Sequence, residues 1–194
     1  MTRRLLRITL IGLVALVALA ALLPTISAAI GLKISVNQGS KQEASGTDSP
    51  VRGACRGSGV TFLIDYGIDS GRPEDVTCVP NSLGQTAQPT SWDLFRLSKI
   101  KVEGTQQYPT GFVCRINGYP SPAEQDCQST PTRKQGSWVY YNMAPGGKAA
   151  WRFSMQGAAS RHPECGSVEG WVFSSASKPL NQPRLTPTPF VCSK

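Results

Sequence analysis

The chain has 194 residues, enough for one domain with tails, and its 20 Lys or Arg and 12 Asp or Glu give a formal net charge of +8 at pH 7. Three of the basic residues precede residue 33 and all of the acids follow it, so the remainder has a net charge of +5 without any run of Lys or Arg. Scattered basic residues of this kind argue against a nucleic-acid partner. A single histidine and the lack of a Cys-x-x-Cys pair argue against a zinc site.

The N-terminal segment is predicted to direct export. A basic start precedes residues 8–32, a run of 25 without charge that is interrupted by Pro24. Ser27 and Ala29 match the small-residue pattern of a signal-peptidase site, which favours a cleaved signal peptide over residues 1–29. The alternative is an uncleaved N-terminal anchor helix, because ~20 apolar residues suffice to span a membrane. Either interpretation places the rest of the chain outside the cytoplasm, secreted or held at the membrane only by this segment.

Cysteine usage agrees with export. An even number of cysteines in an exported chain indicates disulfides, but six cysteines allow fifteen complete pairings and sequence alone does not choose among them. All six follow the export segment: Cys55, Cys78, Cys114, Cys127, Cys165 and Cys192.

A polar linker and then a folded domain are expected after the export segment. Residues 30–54 are dominated by Gly, Ser and polar residues, which is typical of a flexible linker. The domain is predicted over residues 55–174. It begins with a strand at 59–66 that is apolar on both faces, followed by a short strand at 76–79.

One helix is predicted from the spacing of Trp92, Phe95 and Lys99, with Thr90 or Ser91 as its cap and a length of two to three turns. Two further strands are expected on either side of Gly104, and the second runs into an Asn-Gly pair that favours a type I′ turn. These are residues 100–103 and 112–116, with the turn at Asn117-Gly118.

The second half of the domain predicts a hairpin and a last strand. Residues 137–143 and 149–155 flank a Pro-Gly-Gly loop, and residues 168–173 form another β-rich run. The tail over 175–194 contains several prolines and is expected to be loose apart from its cysteine. Five to seven strands with one helix predict an α+β fold.

Several of these segments together carry a family resemblance, which extends over about residues 55–174. They resemble exported actinobacterial proteins that are similar to the small C-terminal domain of the vitamin B12 carriers transcobalamin and intrinsic factor, a domain of unknown function when it occurs alone. The segments are Val102–Gly104, Gly111–Gly118 with Cys127, Ser137–Trp138 and Gly166–Trp171.

The resemblance implies a β-grasp-like mixed sheet with one helix, stapled by disulfides. It also implies three pairings: Cys55 with Cys78, Cys114 with Cys127, and Cys165 with Cys192. The 194 residues contain no counterpart of the large helical domain that supplies much of the carriers' cobalamin site. Cobalamin is therefore kept as a candidate ligand class.

No catalytic, metal or cofactor site is expected. The one histidine, His162, lies in a loop context, and the sequence has no Gly-x-Ser-x-Gly elbow, phosphate loop or dinucleotide fingerprint. A carboxylate pair for glycoside hydrolysis would have to be drawn from four acids whose spacing selects no two of them. These are Asp65, Asp69, Glu103 and Glu169.

The residues that we favour for ligand binding are the aromatics of the hairpin, because Trp and Tyr are enriched at binding surfaces. They are Trp138, Tyr140, Tyr141 and Trp151. The function that follows is a non-enzymatic binding or accessory module of the cell envelope, with a corrinoid-type small molecule or a transport-associated envelope protein as its partner. The alternatives are a structural or inhibitory secreted protein that contacts another protein, and a hydrolase of an envelope polymer.

Overall fold

The computed structural model describes residues 49–80, 89–132 and 134–192, so the predicted export segment and residues 30–48 of the linker lie outside the described residues. Eight strands and one helix follow in chain order: β1 (Val51–Arg52), β2 (Val60–Asp65), β3 (Asp75–Val79), α1 (Asp93–Leu97), β4 (Val102–Gly104), β5 (Val113–Ile116), β6 (Ser137–Met143), β7 (Arg152–Phe153) and β8 (Val168–Ser174). Within these ranges, no helix is long and apolar enough to cross a membrane.

Six strands form one mixed sheet in the order β1-β3-β2-β8-β6-β7, and β4 and β5 form a separate pair. The central strands β2 and β8 run parallel, and each is flanked by antiparallel neighbours. One short helix beside a mixed sheet is the α+β architecture that the sequence predicts. The central parallel pair, β2 and β8, with antiparallel β3 on one side and antiparallel β6 on the other, also gives the β-grasp-like arrangement that the resemblance implied.

The central strands are buried on both faces, as predicted for the run that contains β2. Because successive side chains of a strand alternate between faces, Phe62 and Ile64 point to one side and Leu63 and Asp65 to the other. The first side packs against Leu94 and Phe95 of the helix and forms the main hydrophobic core. We call this side the helix face and the opposite side the tail face.

The helix is shorter than predicted, with five residues instead of two to three turns. Lys99 ends it by adopting a left-handed backbone conformation with a φ of 61°. The amide of Lys99 then donates to the carbonyl of Arg96, and the amide of Ile100 donates to that of Phe95, which is the Schellman pattern. At the other end, the Thr90 hydroxyl accepts the amide of Asp93 at 3.2 Å, so the predicted threonine cap contributes.

The predicted type I′ turn is confirmed. Asn117 and Gly118 both have positive φ angles, 47° and 75°, and Ile116 and Tyr119 exchange backbone hydrogen bonds across the turn. The Asn117 amide also donates to the Tyr66 hydroxyl at 2.7 Å, which connects the turn to the end of the first central strand.

Two sequence-based expectations are wrong at the edges of the sheet. Residues 51 and 52, placed in the flexible linker, form β1 and pair with β3. The predicted strand 149–155 is reduced to Arg152–Phe153, so Trp151, Phe153 and Met155 do not share one buried face. Phe153 is 59% exposed and Met155 is 90% exposed.

Three disulfides join the same cysteines that the resemblance paired: Cys55–Cys78, Cys114–Cys127 and Cys165–Cys192. Each is expected to stabilise a small domain by about 2–4 kcal/mol, chiefly by restricting the unfolded chain. Disulfides persist in oxidising compartments, so the three bridges indicate an extracellular environment.

The C-terminal tail is not loose: it forms a third layer on the tail face. The Arg184 guanidinium contacts the buried Asp65 carboxylate at 2.7 Å, and the Arg184 amide donates to the same carboxylate at 2.8 Å. The Phe190 amide donates to the Gly166 carbonyl at 3.1 Å. Under this layer, Leu63 and Val172 are fully buried.

Replacing Arg184 with Met should lower the free energy of unfolding by about 2–3 kcal/mol. The change leaves the Asp65 carboxylate buried without its cation, and the cost stays below the usual ~3–5 kcal/mol because Arg184 is 36% exposed. Denaturant unfolding with the disulfides intact measures it. Lys178→Met, at the more exposed pair with Asp69, is the matched control and should cost much less. If Arg184→Met and Lys178→Met lowered the free energy of unfolding equally, the Asp65–Arg184 ion pair would contribute no more than an exposed ion pair.

Candidate functional site

An apolar cleft of about 500 Å³ opens at the helix face of the second hairpin. Its walls are residues 111–113, residues 137–140, residues 153–158 and Trp171. Four separate parts of the chain thus meet here, and two of them belong to the hairpin where the sequence predicts ligand binding.

Aromatic rings on neighbouring strands form the inner wall of the apolar cleft. Tyr140 and Trp171 are paired directly across β6 and β8, and their rings stack at 4.7 Å with an interplanar angle of 12°. Trp138 lies two residues earlier on the same face, and its indole donates to the Tyr119 carbonyl at 3.3 Å. All three side chains are largely buried, so only a small part of each ring borders the cleft.

The four aromatics predicted to bind ligand are divided between the two faces of the sheet. Trp138 and Tyr140 line the apolar cleft. Tyr141 instead contacts the Phe153 ring at 5.9 Å, and the Trp151 indole donates to the Leu185 carbonyl of the tail at 3.0 Å. Adjacent residues of a strand point to opposite faces, so Tyr140 and Tyr141 cannot serve one pocket.

Sequence reasoning missed Trp171 as a wall of this site. Trp171 is 6% exposed, and its Nε1 is one of two buried side-chain polar atoms without a hydrogen-bond partner among the described residues. Buried donors are almost always satisfied in folded proteins, and leaving one unpaired costs about 1–3 kcal/mol. The wall of the cleft therefore contains an unused indole donor.

A buried polar network lies behind the aromatic wall and is centred on Glu169, which is completely buried. Arg161 donates to its two carboxylate oxygens at 2.9 and 3.0 Å, and the Ser167 hydroxyl donates at 3.0 Å. The Tyr140 hydroxyl also donates to Glu169 and lies 2.5 Å from the Ser91 hydroxyl. Burial first, and then the charge of Glu169, raise the pKa of Tyr140 well above its ordinary value.

This network fixes the cleft wall and the helix in one arrangement. The Arg161 and Ala158 carbonyls accept the amides of Ser91 and Trp92 at the start of the helix, at 2.8 and 3.0 Å. Since Arg161 is itself held by Glu169, the segment after residue 157 is anchored to the central strand.

The four acids considered for hydrolysis do not converge. Each forms an ion pair with a different cation, and no carboxylate lines the apolar cleft in the described part of the chain. The pairs are Asp65–Arg184, Asp69–Lys178, Glu103–Arg115 and Glu169–Arg161. The hydroxyl of Ser175, then that of Ser177 and the ammonium of Lys178, lower the pKa of Asp69 to about 2.

Over residues 49–80, 89–132 and 134–192, no group of three or more His, Cys, Asp or Glu side chains is placed to hold a metal ion. Comparisons with protein-family models, with curated proteins and with solved structures give no significant match. The site must therefore be interpreted from its own geometry.

The buried Tyr140 phenol should make stability fall at high pH. Its folded-state pKa is raised above the unfolded value of ~10. The stabilising contribution is therefore fully present below about pH 10 and is lost as the pH rises further, because the unfolded state loses its proton first. Unfolding free energies measured between pH 8 and 11 should decline, and Tyr140→Phe should flatten the decline. The control is Tyr108→Phe, at an exposed tyrosine. If Tyr108→Phe flattened the decline in unfolding free energy as much as Tyr140→Phe, the decline could not be assigned to Tyr140.

Proposed function

We propose that this domain is a non-enzymatic binding module of the extracytoplasmic envelope that takes a small, mainly apolar molecule into the apolar cleft. The observation that carries the proposal is the cleft itself, with the stacked Tyr140 and Trp171 rings as its wall. Small-molecule sites are typically concave, apolar, preformed and about 300–1,000 Å³ in volume. A cleft of about 500 Å³ lies within that range.

The chemistry around the cleft supports binding over catalysis. The groups that line it are apolar side chains, backbone, the neutral side chains of Ser137, Ser154 and Gln156, and Tyr140, whose hydroxyl is already bonded to Glu169 and Ser91. General acid–base work needs a titratable group within hydrogen-bond reach of the substrate. Glu169 is the acid behind the wall, and it is fully buried and already bound by Arg161.

A corrinoid is retained as one candidate ligand through the resemblance. A corrin ring with its side groups is larger than the apolar cleft, so only an edge of such a ligand would enter it. The stacked aromatic wall would face that edge, and the rest of the ligand would need a second protein or a second surface.

Contact with another protein is the second candidate function. Met155 lines the cleft and is 90% exposed, and Phe153, which is 59% exposed, borders the cleft while its ring contacts Tyr141. Exposed aromatic and methionine side chains are enriched at protein interfaces. An envelope partner that inserts an apolar side chain would use the same cleft as a small molecule.

The proposal is tested with a neutral apolar dye, N-phenyl-1-naphthylamine, whose fluorescence rises on entering an apolar site. The oxidised protein should bind the dye in a saturable way. Met155→Ser should weaken binding by up to about tenfold, equivalent to ~1.4 kcal/mol, because it removes apolar contact area from the rim. Met155 is 90% exposed, so the change should leave the thermal midpoint unaltered.

Two variants control for this change. Met155→Leu keeps the apolar rim and should bind like the unmodified protein. Ile68→Ser removes an exposed apolar side chain outside the cleft and should have no effect. A parallel sizing-column run with a corrinoid panel, read by visible absorbance in the protein peak, tests the larger ligand. If neither the dye nor any corrinoid binds the folded protein, the small-molecule proposal is wrong.

A further inference from the structure

An exposed arginine, Arg152, lies next in the chain to Phe153, one of the residues that line the apolar cleft. In the pairing of β6 with β7, Arg152 lies directly opposite Asn142. Side chains that face each other across paired strands lie on the same face of the sheet, and Asn142 shares its face with Trp138 and Tyr140. Arg152 therefore emerges on the helix face, about 7 Å along the strand from Tyr140, and its neighbour Phe153 lines the cleft.

Arg152 is a net positive charge at this end of the cleft. It is exposed, and it belongs to none of the ion pairs found among the described residues. The nearby Arg161 does not add to it, because the charge of Arg161 is neutralised by the buried Glu169 at 2.9 Å. An apolar cleft with one uncompensated cation at its rim matches a ligand with an apolar body and one anionic group.

We infer that the ligand of the apolar cleft is an apolar carboxylic acid of the fatty-acid type, with its chain against the aromatic wall and its carboxylate at Arg152. This inference rests on the proposed small-molecule function and narrows it to one chemical class. Guanidinium groups bind carboxylates through paired, charge-assisted hydrogen bonds, which a neutral head group does not reproduce.

Dodecanoate, below its critical micelle concentration, and dodecanol, below its solubility limit in water, separate the head group from the chain. Their binding is measured through the tryptophan fluorescence of the cleft wall and by displacement of N-phenyl-1-naphthylamine. Dodecanoate should bind about tenfold more tightly than dodecanol at low salt. This preference should shrink as the ionic strength rises, because salt screens an exposed charge.

Arg152→Gln should abolish the preference by weakening dodecanoate alone, while Arg152→Lys should retain part of it. Arg56→Gln makes the same charge change at an exposed arginine beside Cys55, whose disulfide partner Cys78 is on β3, across the central strands from β7, and should alter neither ligand. Equal affinities for dodecanoate and dodecanol, or an unchanged preference in Arg152→Gln, would overturn the inference and leave the proposed function standing.

Two further outcomes are also decisive. If the neutral dye binds but neither dodecanoate nor dodecanol displaces it, the fatty-acid class is wrong and the cleft takes another apolar ligand. If the protein floats with phosphatidylglycerol vesicles but does not bind monomeric dodecanoate, its partner is a membrane surface and the inference fails. Loss of all binding, dye included, would reject the small-molecule function itself.

Discussion

The parallel pairing of β2 with β8 is the constraint on which the rest of the structure depends. It places two strands that are covered on both sides at the centre of the sheet, and each strand carries a fully buried carboxylate. Asp65 of β2 points to the tail face and Glu169 of β8 to the helix face. A buried charge without a partner is very unfavourable, so each acid requires a cation from a peripheral segment.

The two required cations determine where the peripheral segments lie. Arg184 brings the tail onto one face of the sheet, and Arg161 brings the segment after β7 onto the other. Buried ion pairs add little net stability compared with apolar residues, but they can specify one arrangement. In this protein the two ion pairs position the third layer and the wall of the apolar cleft. The disulfide Cys165–Cys192 then links the tail covalently to the segment before β8.

The sequence predicted the strands that have a strong local signal and missed features that depend on distant partners. The β-branched and aromatic runs of β2, β6 and β8 and the Asn117-Gly118 turn are local, and they were found. The helix was predicted too long because a lysine in the left-handed conformation, Lys99, leaves no sequence signal. The docked tail depends on a contact between Arg184 and Asp65, 119 residues apart, which no local pattern reveals.

The candidate site shows the same division. The hairpin was predicted to bind a ligand because of its aromatics, and two of these, Trp138 and Tyr140, line the cleft. Tyr141 and Trp151 were grouped with them because composition gives no indication of which face a residue occupies. Trp171 and residues 153–158 complete the cleft only through tertiary packing, as does the placement of Arg152 at its rim.

The central pairing also sets a limit on the timing of folding. Thr61 of β2 pairs with Val168 of β8, so the parallel side of β2 must wait for a partner that is made 107 residues later. Contacts this distant in sequence form slowly and only after a large loop closes. During synthesis the chain therefore lacks its central pairing until β8 has been made, and the disulfide Cys165–Cys192 closes only once residue 192 has reached an oxidising compartment. The tail layer is consequently the last part of the described domain to become covalently fixed.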